Sequence, residues 1–120
     1  MSAKILVADD NTASRELIRE VLEMSGYDVV EAADGRDAVT RARENVPDLV
    51  LVDIQMPRLD GYGVLRELRA DPRFSSLHVV ALTAFAMQGD RDRALDAGFD
   101  GYITKPVEIA ALRQEIKRFL

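Results

Sequence analysis

Short aliphatic runs alternate with longer amphipathic stretches along the whole chain. The runs Lys4 to Asp9, Asp28 to Ala32, Leu49 to Asp53, His78 to Thr83 and Gly101 to Thr104 read as strands. The stretches between and after them have helical spacing. Thr12 to Ser25 carries Leu17, Ile18, Val21 and Leu22; Arg36 to Asn45 carries Ala38, Val39 and Ala42 on one side. Tyr62 to Ala70 and Asp90 to Ala97 follow, and Glu108 to Leu120 places Ile109, Leu112, Ile116 and Leu120 along one stripe. The punctuation agrees: Asn11 or Thr12 caps the first helix and Gly26 closes it, Asp34-Gly35 turns into the second and Pro47 stops it, Asp71-Pro72 ends the third and Gly98 the fourth.

Strands alternating with helices of about ten residues imply right-handed crossovers and a parallel sheet covered on both faces, the doubly wound α/β class in three layers. The first, third and fourth strands are nearly continuous aliphatic runs, as interior parallel strands are, whereas the second and fifth carry polar residues and belong at the edges. At 120 residues the chain makes one domain, residues 1–120, with no linker or repeat.

Composition then narrows the function classes. With 48% hydrophobic and 31% charged residues the balance is that of a globular domain, and no apolar run approaches the ~20 residues that a bilayer span needs. The start, Met1-Ser2-Ala3-Lys4, leaves no room for a signal peptide before the first strand, so the expected location is the cytoplasm. Absence of cysteine removes thiolate metal sites, disulfides and thiol nucleophiles. A net charge of −5 disfavours a phosphate-backbone groove, so direct nucleic-acid binding is not expected. The single histidine, His78, reads as a solvent-facing residue at a strand approach, which leaves little basis for a Ser-His-Asp triad.

The chemistry concentrates where strands end. The first strand runs into Asp9-Asp10 and the third ends in Asp53. If these strands are neighbours, three acids converge at the carboxyl edge of the sheet, where open α/β sheets bind ligands. That makes Asp53 a nucleophile or a metal ligand. Such a cluster suits Mg²⁺, a hard ion held by one or two carboxylates with waters and a phosphate. Without a cation the three acids repel one another until Lys105 offsets them. Thr83 and Lys105, at the ends of the fourth and fifth strands, share that rim; if Asp53 acquires a phosphoryl group, Lys105 balances its charge and Thr83 donates a hydrogen bond.

Asp9-Asp10, the segment Asp53-Ile54-Gln55-Met56-Pro57 with Asp60-Gly61, Thr83-Ala84 and Lys105-Pro106 occur in one order and spacing over essentially the full length. In that ordered set the chain resembles the receiver domains of two-component response regulators, of the stand-alone type. The resemblance implies a flavodoxin-like (βα)5 fold with sheet order 2-1-3-4-5. It implies that Asp53 accepts a phosphoryl group from a phosphohistidine donor, with Mg²⁺ held by Asp10, Asp53 and the Gln55 carbonyl, and by Asp9 directly or through water. It implies a cis bond before Pro106, aiming Lys105 at the site, and an aromatic switch at Tyr102 that turns inward when Thr83 moves toward the phosphoryl group. Such a protein is a stoichiometric phosphoacceptor and not a turnover enzyme.

Phe85, two positions after Thr83, departs from the small or polar residue of many receivers; either it restricts water at the acyl phosphate, or with Met87 it packs the loop or a docking surface. A haloacid-dehalogenase-like phosphatase fits less well, because Gln55 stands where its general acid would be and no cap domain is present. A flavodoxin-like carrier would meet two acids where a flavin phosphate needs amides or hydroxyls. The intact acidic site also weighs against a receiver that only binds proteins. With the last helix ending the chain, the expected output is protein contact: a histidine kinase or histidine phosphotransfer protein upstream, and a downstream target docked near the helices flanking the fourth and fifth strands.

Overall fold

The computed structural model describes residues 2–84 and 89–120; Phe85 and Met87, whose roles the sequence leaves open, lie outside the described residues. Strands β1 (Lys4–Ala8), β2 (Asp28–Ala32), β3 (Leu49–Asp53), β4 (His78–Thr83) and β5 (Gly101–Thr104) alternate with helices α1 (Thr12–Met24), α2 (Gly35–Asn45), α3 (Gly61–Ala70), α4 (Asp90–Ala97) and α5 (Ile109–Phe119). All strand pairs are parallel and the order is β2-β1-β3-β4-β5, as the resemblance implies. Boundaries shift by a residue or two: β1 stops at Ala8, α1 at Met24, and α2 and α3 each begin one residue earlier, at a glycine.

The two faces of the sheet separate by strict alternation. Ile5, Val7, Leu49, Leu51, Val80, Leu82 and Ile103 point to a layer with Ile18 and Leu22 of α1 and Leu112 and Ile116 of α5. Their neighbours Leu6, Ala8, Val50, Val52, Val79 and Ala81 point to the other side, against Ala38 and Ala42 of α2, Val64 and Leu68 of α3 and Ala94 of α4. Because successive strand side chains leave opposite faces, one aliphatic run serves both layers. The apolar stripe of the last helix is shorter than the sequence predicts. Leu112 and Ile116 are buried but Ile109 and Leu120 are exposed, as is Leu17 in α1, because these residues sit at helix ends or beside the packed stripe.

Side chains at the helix starts explain where the helices begin. Asn11, Asp34 and Asp60 each accept a first-turn amide, from Ser14, Asp37 and Gly63 respectively. A 3₁₀ turn, Pro72–Phe74, follows α3 and buries Phe74; the sequence reading has only a helix stop there. Arg69 holds that turn by donating to the carbonyls of Phe74 and Leu77, and it also pairs with Asp100. His78 opens β4 exposed to solvent, beside Asp100 and Phe119 and at the opposite end of its strand from Thr83. That position agrees with the solvent-facing reading. No helix among the described residues is long and apolar enough to cross a membrane.

Gly35 is required by space and Gly26 by backbone conformation. A Cβ on Gly35 would lie 1.8 Å from the Leu59 carbonyl oxygen, whereas Gly26 has φ +94° and open space around it. Gly35→Ala is therefore expected to lose about 3 kcal/mol or more by forced overpacking, and Gly26→Ala only about 1–2 kcal/mol through left-handed strain. Urea denaturation of both variants checks this ranking; a smaller loss in Gly35→Ala would contradict it.

Candidate functional site

The order of the sheet reverses between β1 and β3, whose chains continue to opposite sides, and this switch point is where a crevice opens at the carboxyl ends of the strands. Asp53 is the last residue of β3, and Asp9 follows the last residue of β1 on the neighbouring strand. Both are held in the same way. Asn11 N donates to Asp9 Oδ1 at 2.9 Å, and Gln55 N donates to Asp53 Oδ1 at 2.9 Å. Each carboxylate is thus locked by the amide two residues on, a local turn that leaves the other oxygen pointing into the crevice.

Those other oxygens share one cation. Lys105 Nζ lies 2.7 Å from Asp9 Oδ2 and 2.5 Å from Asp53 Oδ2. Lys105 reaches them from the end of β5, where its backbone amide bonds the Thr83 carbonyl at 2.7 Å and so continues the sheet ladder past Thr104. The Lys105–Pro106 peptide is cis. Thr83 is buried at the end of β4, beside β3 in the sheet.

Asp10 is exposed while Asp9 is fully buried. Ligand atoms of Asp9, Asp10 and Asp53 nevertheless all fall within 4.8 Å of one another. Three oxygen donors of this hardness, with an open side toward solvent at Asp10, fit Mg²⁺, which keeps several waters and needs few protein ligands. The balance of charge points the same way: among the described residues the acids outnumber the one ammonium that pairs with them.

Titration follows from this crowding. Burial pushes the Asp53 carboxyl up from its ordinary value; the Lys105 hydrogen bond and the Gln55 amide pull it back without cancelling the rise, and the Asp9 charge adds to it. For Lys105, burial acts to lower the pKa, but hydrogen bonds and charges from Asp53 and Asp9 together outweigh it and the ammonium is held above its usual value. Burial also raises the Tyr102 phenol, helped by the charge of Asp90 and by Tyr62.

Asp60-Gly61 has a positional role. Asp60 caps α3, and a Cβ on Gly61 would sit 2.7 Å from both the Asp53 carbonyl oxygen and Ile54 Cα. Glycine there lets α3 start directly against the Asp53 backbone, with Gly61 N bonded to the Ile54 carbonyl at 2.8 Å. Gln55 and Thr83 line a cleft of about 390 Å³ together with Ile54, Asp60, Tyr62, Asp90 and Arg93. Nothing in the sequence marks Asp90 and Arg93, since α4 reads only as a charged helix. Tyr102 lies in β5, half-buried against the layer under α2 to α4, and its buried hydroxyl makes no hydrogen bond to the described residues. The sequence-predicted residues Asp9, Asp10, Asp53, Gln55, Thr83 and Lys105 therefore gather at one rim, with Tyr102 farther along β5.

A family model described as the response regulator receiver domain matches residues 5–117. The polar-differentiation response regulator DivK of Brucella ovis is 37% identical over 120 residues, covering 100% of this chain and 98% of that protein. Among solved structures, the chemotaxis protein CheY4 of Vibrio cholerae superposes with a TM-score of 0.93 at 27% identity, over 100% of both chains. The receiver domain of the sensor histidine kinase PA1611 of Pseudomonas aeruginosa, solved with a magnesium ion coordinated in its active-site cleft, has a TM-score of 0.90 at 38% identity, covering 99% of this chain and 98% of that one.

Removing Lys105 should expose the repulsion it relieves. In the absence of divalent metal, Lys105→Met is expected to lose about 3 kcal/mol near neutral pH, as when one member of a buried charge pair is deleted. The deficit should shrink on acidification. With the Asp53 pKa raised in the folded protein, and more so without the ammonium, the folded state binds more protons than the unfolded one above the ordinary carboxyl value, so stability rises as pH falls through that window. Denaturant melts at two pH values test this; an equal deficit at both would contradict it.

Proposed function

The chain belongs to the response regulator receiver domain family, and from that premise we propose that it is a phosphorylation-dependent signalling switch whose phosphoacceptor is Asp53. The observation that carries this reading is the shared ammonium: Asp9 and Asp53 present their free oxygens to Lys105 at the end of the sheet, next to buried Thr83. Residues 1–120 act as one receiver domain in this reading, working in the cytoplasm with a histidine kinase or histidine phosphotransfer protein as donor and a downstream target protein as output.

Phosphoryl transfer asks for positioning and charge stabilisation and little covalent help from the protein. An Asp53 carboxylate oxygen attacks phosphorus, the P–N bond to the donor imidazole breaks, and the departing ring takes up a proton from solvent to leave as neutral imidazole. Asp53 is already oriented by the Gln55 amide, so little is lost in fixing it. Lys105 moves from neutralising two carboxylates to neutralising the phosphoryl oxygens, a displacement its position between the two makes short. Mg²⁺, held by Asp9, Asp10, Asp53 and the Gln55 carbonyl, would supply further charge neutralisation on the phosphoryl oxygens. The product is a mixed anhydride that water cleaves, so the signal decays without a separate enzyme; the protein is consumed and regenerated and does not turn over an external substrate.

Magnitudes define what the switch must do. Inverting a 1:99 equilibrium requires about 5.5 kcal/mol of differential interaction, and a hydrogen bond to a charged group contributes about 1.5–3 kcal/mol. No single bond suffices, whereas Thr83 and Lys105 with one or two loop amides together span a range that includes the required value. Tyr102 fits as the responding group, because its buried hydroxyl lacks a hydrogen bond to the described protein and gives up none on moving.

Incubation with a small acyl-phosphate donor, followed by intact mass, tests the acceptor. Wild type should gain one phosphoryl group only with Mg²⁺ present, and Asp53→Asn should gain none; continuous phosphate release from varied esters would favour a phosphatase instead. Thr83→Ala separates acceptance from response. It should still take up phosphate yet lose most of the phosphorylation-dependent change in partner affinity, and an unchanged affinity shift would refute the role given to Thr83.

A further inference from the structure

The loop that carries Asp9 and Asp10 is braced from outside the acidic cluster. Arg15, in the first turns of α1, donates through Nη1 to the Asp9 carbonyl oxygen at 2.7 Å and through Nε to Glu31 Oε1 at 3.1 Å. Glu31 belongs to β2, and its second oxygen takes Arg19 Nη1 at 3.0 Å, so two arginines of α1 grip one carboxylate of the edge strand. Arg15 is largely buried, with its side chain 16% exposed. Its place is not one that helix energetics favour: a cation near the positive end of a helix is disfavoured by the backbone dipole, and the first turn of α1 holds no acid to offset it. The pairing with Glu31 and the carbonyl bond account for it.

The consequence falls on the peptide joining the two acids. The Asp9 amide is tied to the Ala32 carbonyl at 3.1 Å, the Asp9 carboxylate to the Asn11 amide at 2.9 Å, and the Asp9 carbonyl to Arg15. With its carbonyl clamped, the peptide plane that sets the direction of Asp10 cannot rotate freely, and Asp10 is otherwise exposed. We propose that Arg15, braced by Glu31, is a positioning residue for the cation site: by holding the Asp9–Asp10 peptide it keeps both carboxylates in register for Mg²⁺. This rests on the reading of the acidic cluster as the Mg²⁺ site of the proposed phosphoacceptor.

Geometry and charge give opposite signs, which makes the proposal testable. As a nearby positive charge alone, Arg15 would repel Mg²⁺ and its removal would tighten binding. As a brace, its removal loosens the ligands, and loss of an outer hydrogen-bond partner typically weakens metal binding at least about tenfold. Calorimetric titration of the intact protein with MgCl₂ at neutral pH reads the difference, with urea melts in metal-free buffer as the measure of folding.

Arg15→Met is expected to weaken Mg²⁺ affinity about tenfold. Arg15→Lys should fail to restore it, because an ammonium keeps the charge but not the planar fork that reaches both partners. Glu31→Gln should weaken Mg²⁺ as well, yet add nothing in the Arg15→Met background. If Arg15→Met does not fold, Arg15→Lys and Glu31→Gln carry the same test. Wild type that takes up Mg²⁺ while the variants bind it equally or more tightly overturns the brace alone, even if their melts shift. Wild type that takes up none overturns the site reading and the brace with it.

Discussion

Two carboxylates from adjacent strands are forced to within reach of a single ammonium, and the rest of the molecule is arranged around that contact. Neither acid can retreat, since each is fixed by the amide two residues along and Asp9 is fully buried. Lys105 is anchored through its backbone, bonded to Thr83 at the end of the neighbouring strand, while its side chain spans the two acids. Breaking such a cluster by deleting one member costs several kcal/mol, whereas forming it gains little over well-packed apolar residues of similar size. Its presence is therefore poorly explained by stability and well explained by a need for negative oxygens that a cation or a phosphoryl group can engage.

The scaffold supplies that contact by bringing different strands to one edge. β1 and β3 deliver the acids, β4 the threonine and β5 the lysine, and each neighbour's position is set by a parallel ladder whose register is pinned by burial on both faces. A slip of one residue in β3 would turn Leu51 and Val52 to the wrong layers and carry Asp53 away from Asp9. Gly35 lets α2 approach the Leu59 backbone, and Gly61 lets α3 start against the backbone of Asp53 and Ile54. The same packing that fixes the fold thus fixes the site.

Much of this was readable in the chain itself. The strands and helices follow from the alternation of aliphatic and amphipathic stretches, and Asp9, Asp53, Thr83 and Lys105 fall together because all end or follow strands that a parallel sheet points the same way. What escaped is long-range and polar. Arg15 reads as one of many helix charges until β2 brings Glu31 beside it, and Arg69 shows no sign of its carbonyl bonds until the 3₁₀ turn at Pro72–Phe74 folds back toward β4. Exposure of Ile109, Leu120 and Leu17 is invisible in the sequence for a related reason: helical spacing marks a stripe but not where neighbouring elements stop covering it.

The uneven packing of the helices gives the proposed switch a direction. α3 buries Val64, Leu65 and Leu68, and α1 buries Ile18, Val21 and Leu22, whereas α4 buries only Ala94 and leaves Leu95 exposed. Its start, at Gly89, has no side-chain cap, and most of its residues are charged. An element that buries little apolar surface moves at little cost. It also stands next to the candidate site, since Asp90 and Arg93 line the cleft with Thr83, and Asp90 is close enough to Tyr102 to help raise its phenol. In the proposed switch, a change of charge at Asp53 would meet well-packed helices on the side of α1 and α3 and a sparsely packed one on the side of α4. The apolar contacts that α3 and α1 would have to give up outnumber those of α4, so that switch would work at least cost through α4.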